Sequence, residues 1–184
     1  NIVKNINAAF IDLGGGKTGY YSLSENREHR FTSPLAAAGA QEGRGLKQGD
    51  EIIVQVSRDA VKTKDPVLSS NLNFTGKYSV VTLGKTQIGF SAKITDPVWK
   101  EEVKEYLLAL KEETGRNGFG VIVRTNAKET TKEVIGGEVL ALKQRMDELL
   151  AKAENRTCFT LLEGAEPSFI LSLRDTYAGS LQSV

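Results

Sequence analysis

The pattern of apolar and polar positions divides the chain into a strand-rich first half and a mixed second half. In the first half, short runs of β-prone residues alternate with glycine turns. These runs predict strands over residues 6–13, 19–21, 51–56, 67–74 and 78–81. Short strands at this spacing are typical of a small barrel. The polar stretch 24–44 is predicted to be a long, mobile excursion between strands.

The second half changes to a helical period. Two apolar stripes with spacings of three and four residues predict two amphipathic helices, and the first begins just after Asp96. The stripes consist of Trp99, Val103, Tyr106, Leu107 and Leu110, and then of Ile135, Val139, Leu142, Met146, Leu149 and Ala153. A further strand is predicted over 158–162, with Cys158 as a buried thiol, and a last helix over 168–181. The two halves together predict an α+β fold.

A β-branched run between the two helices ends in Arg124 and Thr125, and it predicts a buried strand over 119–123. A guanidinium fork and a hydroxyl at one strand end suit a phosphate group. Taken alone, the segment is better explained as a strand that merely ends in these two residues. The phosphate hypothesis therefore depends on the other segments of the chain.

The predicted barrel carries aromatic and basic residues that suit single-stranded nucleic acid. Phe10 and Tyr20 lie on neighbouring predicted strands, with Lys17 between them in the sequence, and Lys62 and Lys64 lie near a later turn. Nucleobases stack on aromatic rings while lysines contact backbone phosphates. The alternative, which the pattern leaves equally open, is that Phe10 and Tyr20 belong to the hydrophobic core.

Several other kinds of site are excluded. The run 14–18 resembles the end of a phosphate-binding P-loop, but position 11 is Ile where the motif needs glycine, and a strand is predicted where it needs a helix. With one histidine, His29, and one cysteine, the chain has no His-based triad, disulfide or multi-cysteine zinc site. No catalytic or metal-binding residue is predicted.

Composition changes this picture little. The 184 residues are 40% hydrophobic and 26% charged, with a net charge of +1, as in an ordinary soluble protein. The first half is slightly more basic than the second, which permits a local basic groove. Without an apolar stretch near 18 residues or a leader segment, a cytoplasmic protein with no membrane segment is expected. Because the chain begins without Met, we interpret it as a fragment of a longer protein.

Several segments taken together resemble the ribonuclease E/G family of bacterial endoribonucleases. They are residues 7–14, 19–21, 46–56, 64–76 and 118–125, which occur in the family's order and at fitting distances. The resemblance extends over nearly the whole chain and is weakest in 24–44. It implies an S1-type OB fold, without its opening strand, over residues 1–70. It also implies a 5′-sensor subdomain over 71–155 and part of a ribonuclease-H-like subdomain over 156–184.

The resemblance also implies roles for individual residues. Phe10 and Tyr20 fall on the family's two aromatic RNA contacts, with Tyr in place of a Phe, and Lys64 falls on its RNA-contacting lysine. Lys17 and Lys62 complete the RNA-binding residues that we predict.

The implied 5′-phosphate site has Arg124 and Thr125 as the gripping pair, with Gly76 and Val80 at flanking positions. The arginine expected after Ser91 is replaced by Ala92, and it is followed by Lys93, which we include as the residue that supplies the charge.

The function implied is the RNA-binding and 5′-monophosphate-sensing part of a metal-dependent, single-strand-specific endoribonuclease of RNA processing and decay. Its Mg²⁺ ligands, and a Zn²⁺ site that links subunits, are expected outside this chain, which would be inactive alone. The full-length protein is expected to be a homo-oligomer and the fragment a monomer. Two alternatives stay open: a non-catalytic RNA-binding adaptor, and a small-molecule phosphate enzyme on an α+β scaffold.

Overall fold

The structure is a computed structural model, and it describes residues 1–26, 28–32, 45–115 and 118–164. These residues form two compact units. The first contains Asn1–Asn73 with Leu149–Leu161, and the second contains Phe74–Glu148 with the described residues from Leu162 onward. Each unit has its own mixed sheet, and of the two long helices one precedes the last described strand and the other follows it. The predicted α+β class is confirmed.

The first unit contains a five-stranded sheet in the order β1-β2-β3-β5-β4. Its strands are β1 (Ile2–Val3), β2 (Ala8–Gly14), β3 (Lys17–Ser22), β4 (Gln55–Arg58) and β5 (Val67–Ser69). Only the β3–β5 pair is parallel. The sequence predicts a small barrel here, but the described strands do not close into one, because β1 and β4 are edges of this sheet.

Alternation along β2 and β3 separates an inner face from an outer one. Ala9 pairs with Tyr21, and both are buried against Leu68 in the core of this unit. Burial raises the pKa of the Tyr21 phenol above its ordinary value. Phe10 pairs with Tyr20 on the opposite face, where both side chains are only partly buried.

The hairpin between β2 and β3 requires its glycines. Gly14, Gly15 and Gly16 all have positive φ angles, of 84°, 62° and 75°, which residues with a Cβ rarely adopt. A strand follows this turn, so its amides do not lead into a helix N-terminus as they would in a P-loop. The structure therefore agrees with the rejection of the P-loop.

Several predicted strands have different bounds in the structure. A 3-10 turn at Lys4–Ile6 delays the start of β2, and most of predicted strand 51–56 lies outside β4. Predicted strand 67–74 is broken between Ser69 and Asn73. The cause of the break is Asn26, whose side-chain oxygen accepts from Ser69 Oγ at 2.9 Å and from the Ser70 amide at 2.9 Å. Those hydrogen bonds take the place of the backbone hydrogen bonds of a regular β-sheet.

The second unit contains a four-stranded sheet in the order β6-β7-β9-β8. The strands are β6 (Asn73–Thr75), β7 (Ser79–Leu83), β8 (Ile88–Phe90) and β9 (Phe119–Val123). β7 is antiparallel to β9, whereas β8 is parallel to it. The predicted strand over 119–123 is confirmed, because β9 has those bounds.

Both predicted helices form, as α1 (Pro97–Glu113) and α2 (Lys132–Glu154). The Asp96 carboxylate accepts from the amides of Val98 and Trp99, both at 3.1 Å, and so caps α1 as predicted. Helix residues from both stripes are buried with alternate residues of β7 and β9. The buried set is Val81, Val103, Leu107, Phe119, Val121, Val123, Ile135, Val139 and Met146.

Two expectations at the ends of the predicted elements have different outcomes. Cys158 was expected to be buried in a strand, but it is exposed in a turn. Phe159 there has a φ of 66°, and Thr160 Oγ1 donates to the Thr157 carbonyl at 2.7 Å, which closes the turn. The predicted helix over 168–181 lies outside the described residues.

The predicted mobile stretch is described only in part, because residues 27 and 33–44 lie outside the description. The described part is anchored. Ser70 Oγ donates to the Glu28 carbonyl at 2.6 Å, and the Ile53 amide donates to the Arg30 carbonyl at 2.8 Å. Neither described helix is long and apolar enough to span a membrane.

Two glycines of the second sheet make a matched test of its packing. A Cβ on Gly120 would lie 2.5 Å from the Lys85 carbonyl oxygen, whereas a Cβ on Gly89 would meet no atom within 4 Å. We expect Gly120→Ala to lower the free energy of unfolding by about 1–3 kcal/mol, because a backbone carbonyl cannot rotate away. Gly89→Ala is expected to be neutral or stabilising by about 0.5 kcal/mol. Urea unfolding measures both, and equal losses would contradict this account.

Candidate nucleic-acid interface

The parallel pairing of β8 and β9 brings two chain segments to one edge of the sheet. Phe90 pairs with Val123, and the amide of Ser91 donates to the Val123 carbonyl at 2.8 Å. Because the carboxyl ends of parallel strands meet at the same edge, the residues after Phe90 lie beside those after Val123. The structure therefore brings Lys93 together with Arg124 and Thr125.

These residues line an open cavity of about 540 Å³. Its described lining consists of Ser91, Lys93, Ile122, Val123, Arg124, Thr125 and Asn126. The lining contains two cationic side chains, two hydroxyls and one amide, and none of its described members is acidic. Such a donor-rich wall suits an anionic group with several oxygen atoms.

The two hydroxyls lie next to each other. Thr125 Oγ1 is 3.1 Å from Ser91 Oγ, and the Lys93 amide donates to Ser91 Oγ at 3.4 Å. Thr125 also begins a 3-10 turn, Thr125–Glu129, whose Ala127 is fully buried. A turn anchored by buried Ala127 on one side and a strand end on the other hold the hydroxyl pair at the cavity.

Arg124 lies in the cavity wall rather than in the core. Its Nη1 donates to the Gly76 carbonyl at 2.7 Å, and its amide donates to the Tyr78 carbonyl at 2.8 Å. The side chain is partly buried. A bond to a carbonyl fixes one end of the planar guanidinium fork.

Gly76 and Val80, the predicted flanking positions, are not among the described residues that line the cavity. Gly76 is buried and reaches the site through the carbonyl that binds Arg124. Val80 pairs with Ile122, which does line the cavity and is 44% exposed. Their direct contact with a phosphate stays a prediction.

The aromatic pair of the first unit lies outside the buried core. The rings of Phe10 and Tyr20 are 6.1 Å apart between centroids and meet edge to face at 74°. Buried Ala9 and Tyr21 occupy the other face of the same strands. This placement agrees with a surface for stacking bases, while the RNA contact itself stays a prediction.

The three predicted lysines of this unit are exposed. By alternation along β3, Lys17 lies on the side of Tyr21, so the structure does not place it between the two rings. Lys62 and Lys64 belong to a turn that the Lys64 amide closes by donating to the Val61 carbonyl at 3.0 Å.

That turn leads directly to β5, which pairs with β3 and so with Tyr20. The Tyr20 amide donates to the Pro66 carbonyl at 2.8 Å, and Thr18 Oγ1 donates to Asp65 at 3.3 Å. Lys64 therefore lies two residues from a direct contact with Tyr20, and its RNA contact stays a prediction.

Sequence reasoning missed four residues of the cavity: Ser91, Ile122, Val123 and Asn126. Ser91 had one signal, since it precedes the position at which the family's arginine is expected. Its partnership with Thr125 depends on parallel pairing between distant strands, which periodicity cannot reveal.

The Mg²⁺ and Zn²⁺ sites that the family resemblance implies are expected outside this chain, and the structure does not test them. The described residues contain no group of three or more histidine, cysteine, aspartate or glutamate side chains that could hold a metal ion.

Comparisons with known proteins point in one direction. Residues 73–184 match the Ribonuclease E/G family. The whole chain is 25% identical to Ribonuclease E of Synechocystis sp., covering 26% of that protein, and 27% identical to a Ribonuclease E/G-like protein of Porphyra purpurea, covering 34%. Ribonuclease G of Salmonella typhimurium is 25% identical over 78% of this chain and 29% of its own length. The chain thus spans about a third or less of each of these relatives.

Proposed function

The chain belongs to the ribonuclease E/G family, and from that membership we propose that it is the RNA-binding and 5′-monophosphate-sensing part of an endoribonuclease. The observation that carries the proposal is the convergence of Arg124, Lys93 and the Ser91–Thr125 hydroxyl pair on one cavity. The full-length enzyme would act on single-stranded RNA in processing and decay.

The charge of the cavity supports a terminal phosphate as its ligand. A phosphate monoester carries about −1.5 to −2 charges at neutral pH, whereas an internal diester carries one. Two cationic side chains would therefore bind the RNA end more strongly than a diester within the strand. A 5′-hydroxyl would offer these donors no anionic group, and a triphosphate would need more room and more positive charge.

The first unit would hold the RNA strand. A five-stranded sheet that is not closed fits an S1-type OB fold, which is itself a partly open barrel. Phe10 and Tyr20 would stack bases, each contributing about 1–3 kcal/mol. Lys17, Lys62 and Lys64 would contact backbone phosphates.

The chemistry of cleavage would belong to other parts of the full-length protein. There, acidic residues would hold Mg²⁺, and a Zn²⁺ site would join subunits of a cytoplasmic homo-oligomer. Residues 156–184 would form part of a ribonuclease-H-like subdomain. This chain alone would bind RNA without cleaving it.

The test compares two RNA oligomers of one sequence, one with a 5′-monophosphate and one with a 5′-hydroxyl. Fluorescence anisotropy would give a Kd for each with the purified chain. We expect the monophosphorylated oligomer to bind about tenfold or more tightly, because hydrogen bonds to charged groups contribute about 1.5–3 kcal/mol. Equal Kd values would overturn the proposal.

A further inference from the structure

A carboxylate on α2 binds the turn that precedes β7. Glu138 Oε2 accepts from the Lys77 amide at 2.7 Å, and Oε1 accepts from the Tyr78 amide at 2.9 Å. Oε1 also accepts from the amide and the hydroxyl of Ser79, at 2.8 and 2.7 Å. Three consecutive backbone N–H groups thus point at one partly buried carboxylate, an arrangement that binds anions strongly.

The carbonyls of the same turn bind Arg124. Its Nη1 donates to the Gly76 carbonyl at 2.7 Å and lies 3.5 Å from the Lys77 carbonyl, while the Tyr78 carbonyl accepts from the Arg124 amide. The peptide linking Gly76 to Lys77 therefore has its N–H on Glu138 and its carbonyl on Arg124. A charge at each end of one peptide dipole strengthens both hydrogen bonds.

From this geometry we infer that Glu138 is the residue that positions Arg124 for the RNA 5′ end. Glu138 fixes the turn through its amides, and the turn's carbonyls then fix the guanidinium in the cavity wall. The inference rests on the proposed function for its consequence in RNA binding. The positioning itself is a property of the protein without RNA.

Gly76 is explained by the same arrangement. A Cβ at this position would lie 2.4 Å from the carboxyl carbon of Glu138 and 2.5 Å from its Oε1. Any side chain there would push the carboxylate away from the amides. Gly76 thus serves the site by letting Glu138 approach.

The negative charge of Glu138 allows positioning of Arg124 to be distinguished from simple electrostatic repulsion. A carboxylate near an anion site weakens anion binding by simple repulsion, so its removal alone would strengthen RNA binding. If Glu138 positions Arg124, its replacement instead lowers the preference for a 5′-monophosphate. Repulsion alone therefore predicts a higher preference for the 5′-monophosphate in the variant, whereas positioning predicts a lower one.

The experiment uses Glu138→Gln, with Glu148→Gln as the matched control. Glu148 lies on the same helix, is exposed and accepts from Gln144 Nε2 at 3.0 Å, so its replacement removes the same charge away from the turn. In Glu138→Gln, one carboxylate oxygen, which accepts hydrogen bonds, is replaced by an amide NH₂ group, which donates them and therefore cannot bind the turn's N–H groups. We expect the ratio of the two oligomer Kd values to fall about threefold to tenfold, with the 5′-hydroxyl Kd changing less than about twofold. The control should keep the ratio of the unchanged chain.

A second measurement needs no RNA. The ¹⁵N order parameter of Arg124 Nε, identified by its loss in Arg124→Lys, should be about 0.8 in the unchanged chain and below about 0.6 in Glu138→Gln. Should Glu138→Gln fail to fold by circular dichroism, Ser79→Ala removes one of the four bonds to Glu138 and should lower both readouts partly. An unchanged order parameter and ratio in the folded variant would overturn the inference. Equal Kd values in the unchanged chain would overturn the proposed function instead, and the order parameter would still decide the positioning.

Discussion

Replacing Arg124 with alanine should weaken binding of 5′-monophosphorylated RNA by about tenfold to a hundredfold and leave binding of 5′-hydroxyl RNA nearly unchanged. The guanidinium lines the cavity beside Lys93 and the hydroxyl pair. Its loss would remove the charge-assisted hydrogen bonds that distinguish a monoester from a hydroxyl. The 5′-hydroxyl oligomer makes no such bonds and would still lie on the aromatic pair of the first unit.

The controls separate the two proposed surfaces. Tyr20→Ala should weaken both oligomers by a similar factor and keep their ratio, whereas Tyr20→Phe should retain the stacking. Arg124→Lys keeps a charge but lacks the planar fork, so it should retain only part of the preference. Anisotropy titrations at fixed ionic strength measure all four variants. A preference that survives in Arg124→Ala would show that the phosphate role of this residue is wrong.

Replacing Lys111 with methionine should lower the free energy of unfolding by about 2–4 kcal/mol. The Lys111 side chain is only 5% exposed, and its Nζ donates to the Phe119 carbonyl at 2.7 Å and to the Thr86 carbonyl at 2.8 Å. Methionine would fill the same space with its apolar stem. The two carbonyls would lose their donor, and each buried acceptor left unpaired costs about 1–3 kcal/mol.

Lys104→Met on the same helix is the matched control. The Lys104 side chain is 43% exposed and pairs with Glu101 at 3.3 Å, so its loss should cost less than about 0.5 kcal/mol. Urea unfolding compares the two variants, and equal losses would contradict the structural role of Lys111.

The pH dependence of stability gives the same prediction a second readout. Burial lowers the pKa of Lys111 below its ordinary value of 10.5. Between that lowered pKa and 10.5 the unfolded chain binds more protons, so stability attributable to this group rises with pH. Lys111→Met should remove that rise, and Lys104→Met should keep it.

The parts of the fold that were predictable from sequence are those with local signals. The Asp96 cap, the two apolar stripes and the β-branched run of β9 are each encoded by neighbouring residues, and all three form as predicted. The parts that were not predictable depend on partners far along the chain. Asn26 breaks a strand more than forty residues away. The apolar run that starts at Cys158 begins with an exposed turn instead of the predicted strand.

The candidate site divides in the same way. Arg124 and Thr125 were found because they end a recognisable strand, and Lys93 because the resemblance pointed to its neighbourhood. Glu138 gave no signal, since a glutamate on an amphipathic helix usually lies on a solvated face. Only the fold shows that it faces three amides instead.

The register of β9 has a consequence for how this region tolerates change during evolution. The side chains of Ile122 and Arg124 are at least partly exposed at the cavity, whereas those of the alternate residues Val121 and Val123 are fully buried. A single inserted or deleted codon within the strand would exchange the two faces and turn the guanidinium inward among valines. Among related sequences, replacement of one aliphatic residue by another should therefore be common in β9. Insertions or deletions of whole codons within the strand should be rare.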